Sequence, residues 1–270
     1  MKTAFHCETA TREETRRPGG PGNYITDRRT PPTPRKPLLV ADWDRALMLH
    51  YEIDPAILRP LVPFPLDLHL GKAYVTLVAF TMRGMRPHLG GKLAAWLLRP
   101  IATHGFLNVR TYVRVGTMTG IYFITEYLDN VLSLKLGPLT FGLPYRHAHL
   151  NYEHAWETGV LHGLVCDRVT GTALAYAARV DPEPRFAPAP AGTLTAWLME
   201  RYTAFTAYGR TRRFFHVWHT PWPEKTVAVE IHDDSLLRAH LPWFVHARYI
   251  GANFSPGVRE VGMGRPHRLA

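Results

Sequence analysis

The chain has 270 residues, 46% hydrophobic and 20% charged, and its 32 Lys/Arg against 22 Asp/Glu leave a net charge of +10. These are globular values, with no apolar run near the roughly 18 residues of a membrane span, and Cys7 and Cys166 are too few for a disulfide framework or a Cys-based metal site. Nucleic acid is not the expected partner, because residues 1–37 hold eight Lys/Arg and four Asp/Glu, so that +6 is spread over the other 233 residues without a basic run.

Residues 1–36 are polar and Pro/Gly-rich, with PGGPG and TPPTPRKP, and read as a disordered tail. The first residues lack the apolar core of a signal peptide, so a cytoplasmic location is expected. Leu38 to Tyr51 suits a first strand. Asp54-Pro55 reads as an N-cap and first turn of a short helix to Leu58, stopped at Pro60. Leu66 to Leu70 alternates as a strand, Gly71-Lys72 turns, and Ala73 to Thr81 completes a hairpin. His88 to Thr103 carries Leu89, Leu93, Trp96, Leu97 and Ile101 at helical spacing, as a packed surface helix or as an ordered flap over a pocket mouth.

The most informative stretch is 104–149. Asn108, Arg110, Tyr112 and Arg114 alternate with Val109, Thr111 and Val113, the pattern of a strand with two unlike faces. Gly116 to Gly120 is a turn, and Ile121 to Tyr127 is the return strand of the hairpin. Asp129 is the expected N-cap of a helix from Asn130 that breaks at Gly137-Pro138. Strands follow at Ala148–Trp156, Leu161–Asp167 and Ala173–Val180, then a Pro-rich connection over Asp181–Ala191. Leu194, Trp197, Leu198, Arg201, Phe205 and Tyr208 share one helical face. They predict that Thr193–Tyr208 is the longest helix or close to it, ended by Gly209. Arg213–Val217, Val227–Ile231 and Val245–Ala252 read as strands, and the chain from Gly257 as a loose tail. Nine or ten short strands joined by turns, with few helices, imply an α+β chain whose mostly antiparallel sheet closes into a barrel or cone. No internal boundary is visible, so 37–256 is expected to be one domain.

Several strings occur in an order that resembles a known family: LHYEIDPAILRPLVPFPLDL, AYVTLVAF, NVRTYV, IYFITEYLDN, FGLPYRHA, LMERYTAFT and HVWHTPWP. The resemblance, from about Pro37 to about Ser255, is to the YqjF-like, uncharacterised DUF2071 family of the acetoacetate decarboxylase-like superfamily. It implies an antiparallel β-barrel or cone with an internal pocket. In acetoacetate decarboxylase a lysine at a Tyr-Pro-Lys-Lys corner forms a Schiff base with a keto acid. The matching corner here is Gly142-Leu143-Pro144-Tyr145-Arg146-His147 and has no lysine. Arg146 cannot replace it, because guanidinium stays protonated. Of the six lysines, Lys2, Lys36, Lys72, Lys92, Lys135 and Lys225, Lys135 is the one placed to approach a pocket.

The expected ligand-binding residues are Arg110, Tyr122, Glu126, Tyr145, His147 and His219. Arg110 turned into a barrel requires an anion, supplied by a ligand carboxylate or by Glu126. The pairs His147/His149 and His216/His219, with Glu126 or Glu153, could build a divalent-metal site; ordinary hydrogen-bonded histidines are the favoured reading, with no metal and no cofactor expected. The expectation is a small-molecule pocket for an organic carboxylate or carbonyl compound, without nucleic-acid or membrane partners and with the oligomeric state open. The alternatives are a lyase using another residue, a metal-dependent enzyme, and a non-catalytic interaction protein.

Overall fold

Apolar runs such as Val75–Phe80 do not alternate with polar residues because both faces of these strands are buried. The computed structural model describes residues 36–269 other than Pro184, so the expected tail lies outside the described residues except for Lys36. β1 (Leu39–Ile53), β2 (Ala73–Pro87), β3 (His104–Val115) and β4 (Met118–Leu128) form an antiparallel meander. The odd positions Leu47, Leu49, Val75, Leu77, Leu107 and Val109 enter one core, whereas the even positions Met48, Val78, Phe80 and Phe106 enter another.

The chain then places β5 (Tyr145–His147), β6 (His149–Ala155), β7 (Val160–Asp167), β8 (Thr172–Arg179), β9 (Ala187–Pro188), β10 (Thr203–Tyr208), β11 (Thr211–Trp218), β12 (Pro223–Asp233), β13 (Arg248–Met263) and β14 (His267–Arg268). The path β11-β10-β4-β3-β2-β1-β13 closes on itself, because Val217 and Trp218 of β11 pair with Met263 and Gly262 of β13. Seven strands thus make a ring. The other end of β13 pairs with β12, which continues through β8 and β7 to β6. This arm folds over the outer face of the meander and encloses the first core, which α5 (Ser235–His240) caps with Leu236 and Leu237. The sheet is mostly antiparallel, with parallel pairings of β4 to β5 and to β10.

The helices are short: α1 (Pro55–Leu58), α2 (Gly91–Leu98), α3 (Val131–Thr140) and α4 (Leu194–Met199). Among the described residues none is long and apolar enough to cross a membrane. The Asp54 carboxylate accepts the Ala56 N–H at 2.8 Å, as its N-cap role requires.

Four expectations change. The helix over Thr193–Tyr208 stops at Met199, and Thr203–Tyr208 is β10, paired with β11 and β4. TAFTAY carries two β-branched and two aromatic residues, and two neighbouring strands outweigh the weaker helical match. The cap of α3 is Asn130, whose Oδ1 accepts the Ser133 N–H at 2.9 Å, and the helix runs through Pro138 to Thr140 before Gly142 (φ +74°) ends it. Pro138 removes only one helical hydrogen bond so near the C-terminus. Leu66–Leu70 is not a strand but makes a single bridge to Val113, with a tight turn between His69 and Lys72. The chain from Gly257 is no loose tail; β13 continues to Met263 opposite Leu39.

Asp67, from the segment that failed to be a strand, ties the ring to α4. Its Oδ2 accepts from Arg201 Nη1 at 2.8 Å, and its Oδ1 accepts from Arg114 Nη2 at 2.9 Å. Arg201 and Asp67 side chains are both nearly inaccessible, 1% and 4% exposed. Removing one partner of such a buried pair strands a charge. Asp67→Ala should lower unfolding stability by roughly 3 kcal/mol, the low end for a buried pair, because Arg201 keeps the Trp197 carbonyl and the Trp197 and Tyr112 ring faces. Urea titration measures it; a loss under about 1 kcal/mol would place the pair among weak surface bridges.

Candidate ligand cavity

The even positions of β3 that line the second core do not fill it. A cavity of about 390 Å³ runs from the ring's end at Leu39, Pro87 and Met263 inward to Arg110. Its wall is mostly apolar, with Phe80 and Phe106 stacked at 5.4 Å and Trp43 stacked on Trp222 at 5.9 Å. Among the polar groups of the wall are Asn108 and Arg110 from β3, Glu126 from β4, Tyr145 from β5, Arg201 after α4, and His219 after β11. Among the described residues no lysine stands in the wall, and Lys135 on α3 is exposed.

Strand parity explains the placements. His104, Phe106, Asn108 and Arg110 share the inner face of β3. On β4 Ile121 and Phe123 face inward, so Tyr122 points out and packs on Phe64, 5.5 Å between ring centroids. His147, at the end of β5, is exposed, with its ring 5.5 Å from that of His149. Of the six expected residues the cavity thus gathers Arg110, Glu126, Tyr145 and His219, and neither Tyr122 nor His147. Asn108 was legible as a face-mate of Arg110. Arg201 was hidden by its assignment to the helical stripe, and His104, Trp43 and Trp222 carried no signal in the sequence. Among the described residues no three His, Cys, Asp or Glu side chains cluster as a metal ion requires.

Glu126 is not the partner of Arg110. Asn108 is opposite Glu126, and the register shift between Val109 and Arg110 leaves Phe123 opposite Arg110. Arg110 forms no ion pair among the described residues, and its Nε and Nη2 lack hydrogen-bond partners, as do Asn108 Oδ1 and Glu126 Oε2. Burial lowers the Arg110 pKa, opposed by Tyr112 and by the field of Glu200; a guanidinium nevertheless remains charged. Burial holds the Glu126 pKa well above the usual carboxylate range, which favours its protonated form. Burial, then the neighbouring Glu126, pushes the Tyr145 hydroxyl well above its ordinary value. The Tyr145 ring lies so close to Gly137 of α3 that a methyl group there would collide with it.

The histidines around the cavity are neutral. Burial, then the Arg110 charge, pulls His50 down to about 3, and its Nε2–H donates to Asn253 Oδ1 at 3.1 Å. His219, buried and within the field of Arg110, is lowered to about 4, and His104 to about 4 by burial.

The structure is similar to that of acetoacetate decarboxylase from Legionella pneumophila, with a TM-score of 0.60 at 13% identity over 91% of this chain and 95% of that one. It is similarly close to the enduracididine biosynthesis enzyme MppR complexed with pyruvate, with a TM-score of 0.58 at 14% identity over 89% and 91% of the two chains. Identities this low establish the shared fold alone. Residues 40–258 match the family model DUF2071, described as an uncharacterized conserved protein. The chain belongs to the DUF2071 family. Its sequence is also 29% identical over 202 residues to the uncharacterized protein YqjF of Bacillus subtilis, across 73% of this chain and 79% of that one. The acetoacetate decarboxylase-like barrel expected of a DUF2071 member is therefore the fold it has.

Four buried neutral histidines set the acid limit of this DUF2071 protein. His50 titrates at about 3, and His104, His154 and His219 at about 4, against 6.5 when unfolded. Folded values below unfolded ones mean that the unfolded chain binds the extra protons, so stability is complete above about pH 6.5 and falls as pH drops toward 4. Each histidine contributes up to about 1.4 kcal/mol per pH unit in that window. His154→Gln, away from the cavity, should show a shallower loss of urea midpoint between pH 6.5 and 4.5 than the parent; equal slopes would refute the assignment.

Proposed function

We propose that the cavity binds a small organic acid with an apolar body, its carboxylate held by Arg110 and a carbonyl or hydroxyl oxygen near Asn108 and Glu126. One observation carries this reading. Three side chains on one cavity wall, Arg110, Asn108 and Glu126, keep buried polar atoms without protein partners, and buried polar groups are otherwise almost always satisfied. A guanidinium without a carboxylate recognises an anion through two parallel hydrogen bonds. A protonated carboxyl donates where an ionised one would repel the same ligand. The apolar remainder of the wall suits the ligand's body. MppR in complex with pyruvate shows that a similar barrel accepts a keto acid.

A second reading rests on Glu126 alone. A carboxyl kept protonated beside a bound keto acid can give its proton to a carbonyl oxygen, the step a lyase without a Schiff-base lysine would require.

The test is calorimetry with a panel of acids from pyruvate and acetoacetate to larger aryl-substituted keto acids. Arg110→Ala should weaken the best of them by about 1.5–3 kcal/mol, the range for hydrogen bonds to charged groups. An unchanged affinity would make Arg110 purely structural. If Glu126 binds as the acid, affinity falls as pH rises through its elevated pKa, and Glu126→Gln, a donor at every pH, removes that dependence. Borohydride with acetoacetate or pyruvate should leave the mass of the protein unchanged. A trapped adduct, lost in Lys135→Ala, would restore imine chemistry.

A further inference from the structure

The cavity opens where its lining residues Leu38, Leu136 and Thr140 are exposed, beside α2 and α3. The two helices are joined there, Asn130 Nδ2 donating to the Pro100 carbonyl at 2.7 Å. Both present large apolar side chains to solvent. On α2 these are Leu93, Trp96 and Leu97, 70%, 63% and 63% exposed; on α3 they are Val131, Leu132 and Leu139, 60%, 44% and 68% exposed. Scattered exposed leucines are ordinary, but six large exposed apolar side chains on the two helices beside one opening mark a contact surface, the α2–α3 collar.

Charge names the partner. Residues 88–103 and 130–147 contain no Asp or Glu, and Lys92, Arg99 and Lys135 stand exposed among the apolar side chains. Asp129, just before α3, is the nearest acid in sequence. A second copy docked on this collar by two-fold symmetry would set these cations against their own images. An anionic bilayer meets both features, because Leu and Trp side chains enter the headgroup boundary while Lys and Arg remain at the phosphates.

We infer that the α2–α3 collar is a peripheral docking site for an anionic lipid bilayer, which brings the mouth of the cavity to the membrane surface. The absence of a spanning segment, from which no membrane partner was expected, excludes only a crossing helix. The collar works with helices too short to cross, and it does not depend on which ligand the cavity holds.

The experiment is sedimentation of the full chain with phosphatidylglycerol vesicles and, separately, with phosphatidylcholine vesicles. Binding is expected to the first and not to the second. The double variant L93D/W96D should lose about tenfold or more in partition, and K92E/K135E should lose binding as well. The control L70D/V169D makes the same charge change at two residues that are 88% and 94% exposed away from the collar, and should bind within about twofold of the parent. Circular dichroism confirms that each variant is folded. Equal losses in L93D/W96D and L70D/V169D would overturn the proposal in favour of nonspecific charge attraction. So would a dimer in solution that L93D/W96D converts to monomers, with no vesicle binding by the parent; the collar would then be a subunit interface.

Discussion

The architecture depends on β13 serving three partners. Its whole length pairs with β1, from Arg248 opposite Glu52 to Met263 opposite Leu39, while its first part pairs with β12 and its last residues with β11. Closure at Val217–Met263 removes the free edges of the seven-strand ring, which would otherwise expose unpaired backbone groups. The β12 branch supplies a sheet to cover the outer face of the meander. One strand thereby creates two interiors, one packed solid and one left partly empty.

The two interiors differ in chemistry because strand parity sorts side chains between them. Odd residues of β1, β2 and β3 fill the solid core with Leu, Val and Tyr. Even residues of β3 bring His104, Asn108 and Arg110 into the hollow one. An apolar, water-poor enclosure strengthens every field within it. Burial, reinforced by the Arg110 charge, therefore holds His50 and His219 neutral, and burial raises the Glu126 pKa well above the usual carboxylate range. The same enclosure makes the unpartnered atoms of Arg110, Asn108 and Glu126 expensive in the absence of a ligand. Proposed function and fold thus meet in one property of the molecule, a polar cluster on the wall of an apolar cavity.

The approach to that cavity has a different character. α2 and α3 expose apolar side chains around the opening, and both are held by short polar contacts, the Asn130 cap and its bond to Pro100, more than by burial of their own faces. Elements with few buried contacts are the ones a structure can move at small cost. The collar proposed as a docking surface is therefore built on elements with few buried side chains of their own.

Local pattern and chemistry determined much by themselves: the β3–β4 hairpin, the Asp54 cap, the strand character of β3 and the inward direction of Arg110 together with Asn108. Strand periodicity and capping act within a few residues, so they can be read along the chain. Arg110 follows from such parity, and the failure of Tyr122 follows from it too, since its neighbours Ile121 and Phe123 face inward. Tertiary structure alone decided the rest. Thr203–Tyr208 became a strand because β4 and β11 offered their backbone groups on both sides, and the residues after Gly257 became ordered because β1 lay alongside. Glu126 reached the inner face together with Phe123, three residues before it, because a one-residue register shift falls between Val109 and Arg110, which no composition records. Pairing partners and register are set by contacts far apart in sequence, and it is those contacts that left Arg110 buried without an ion pair among the described residues.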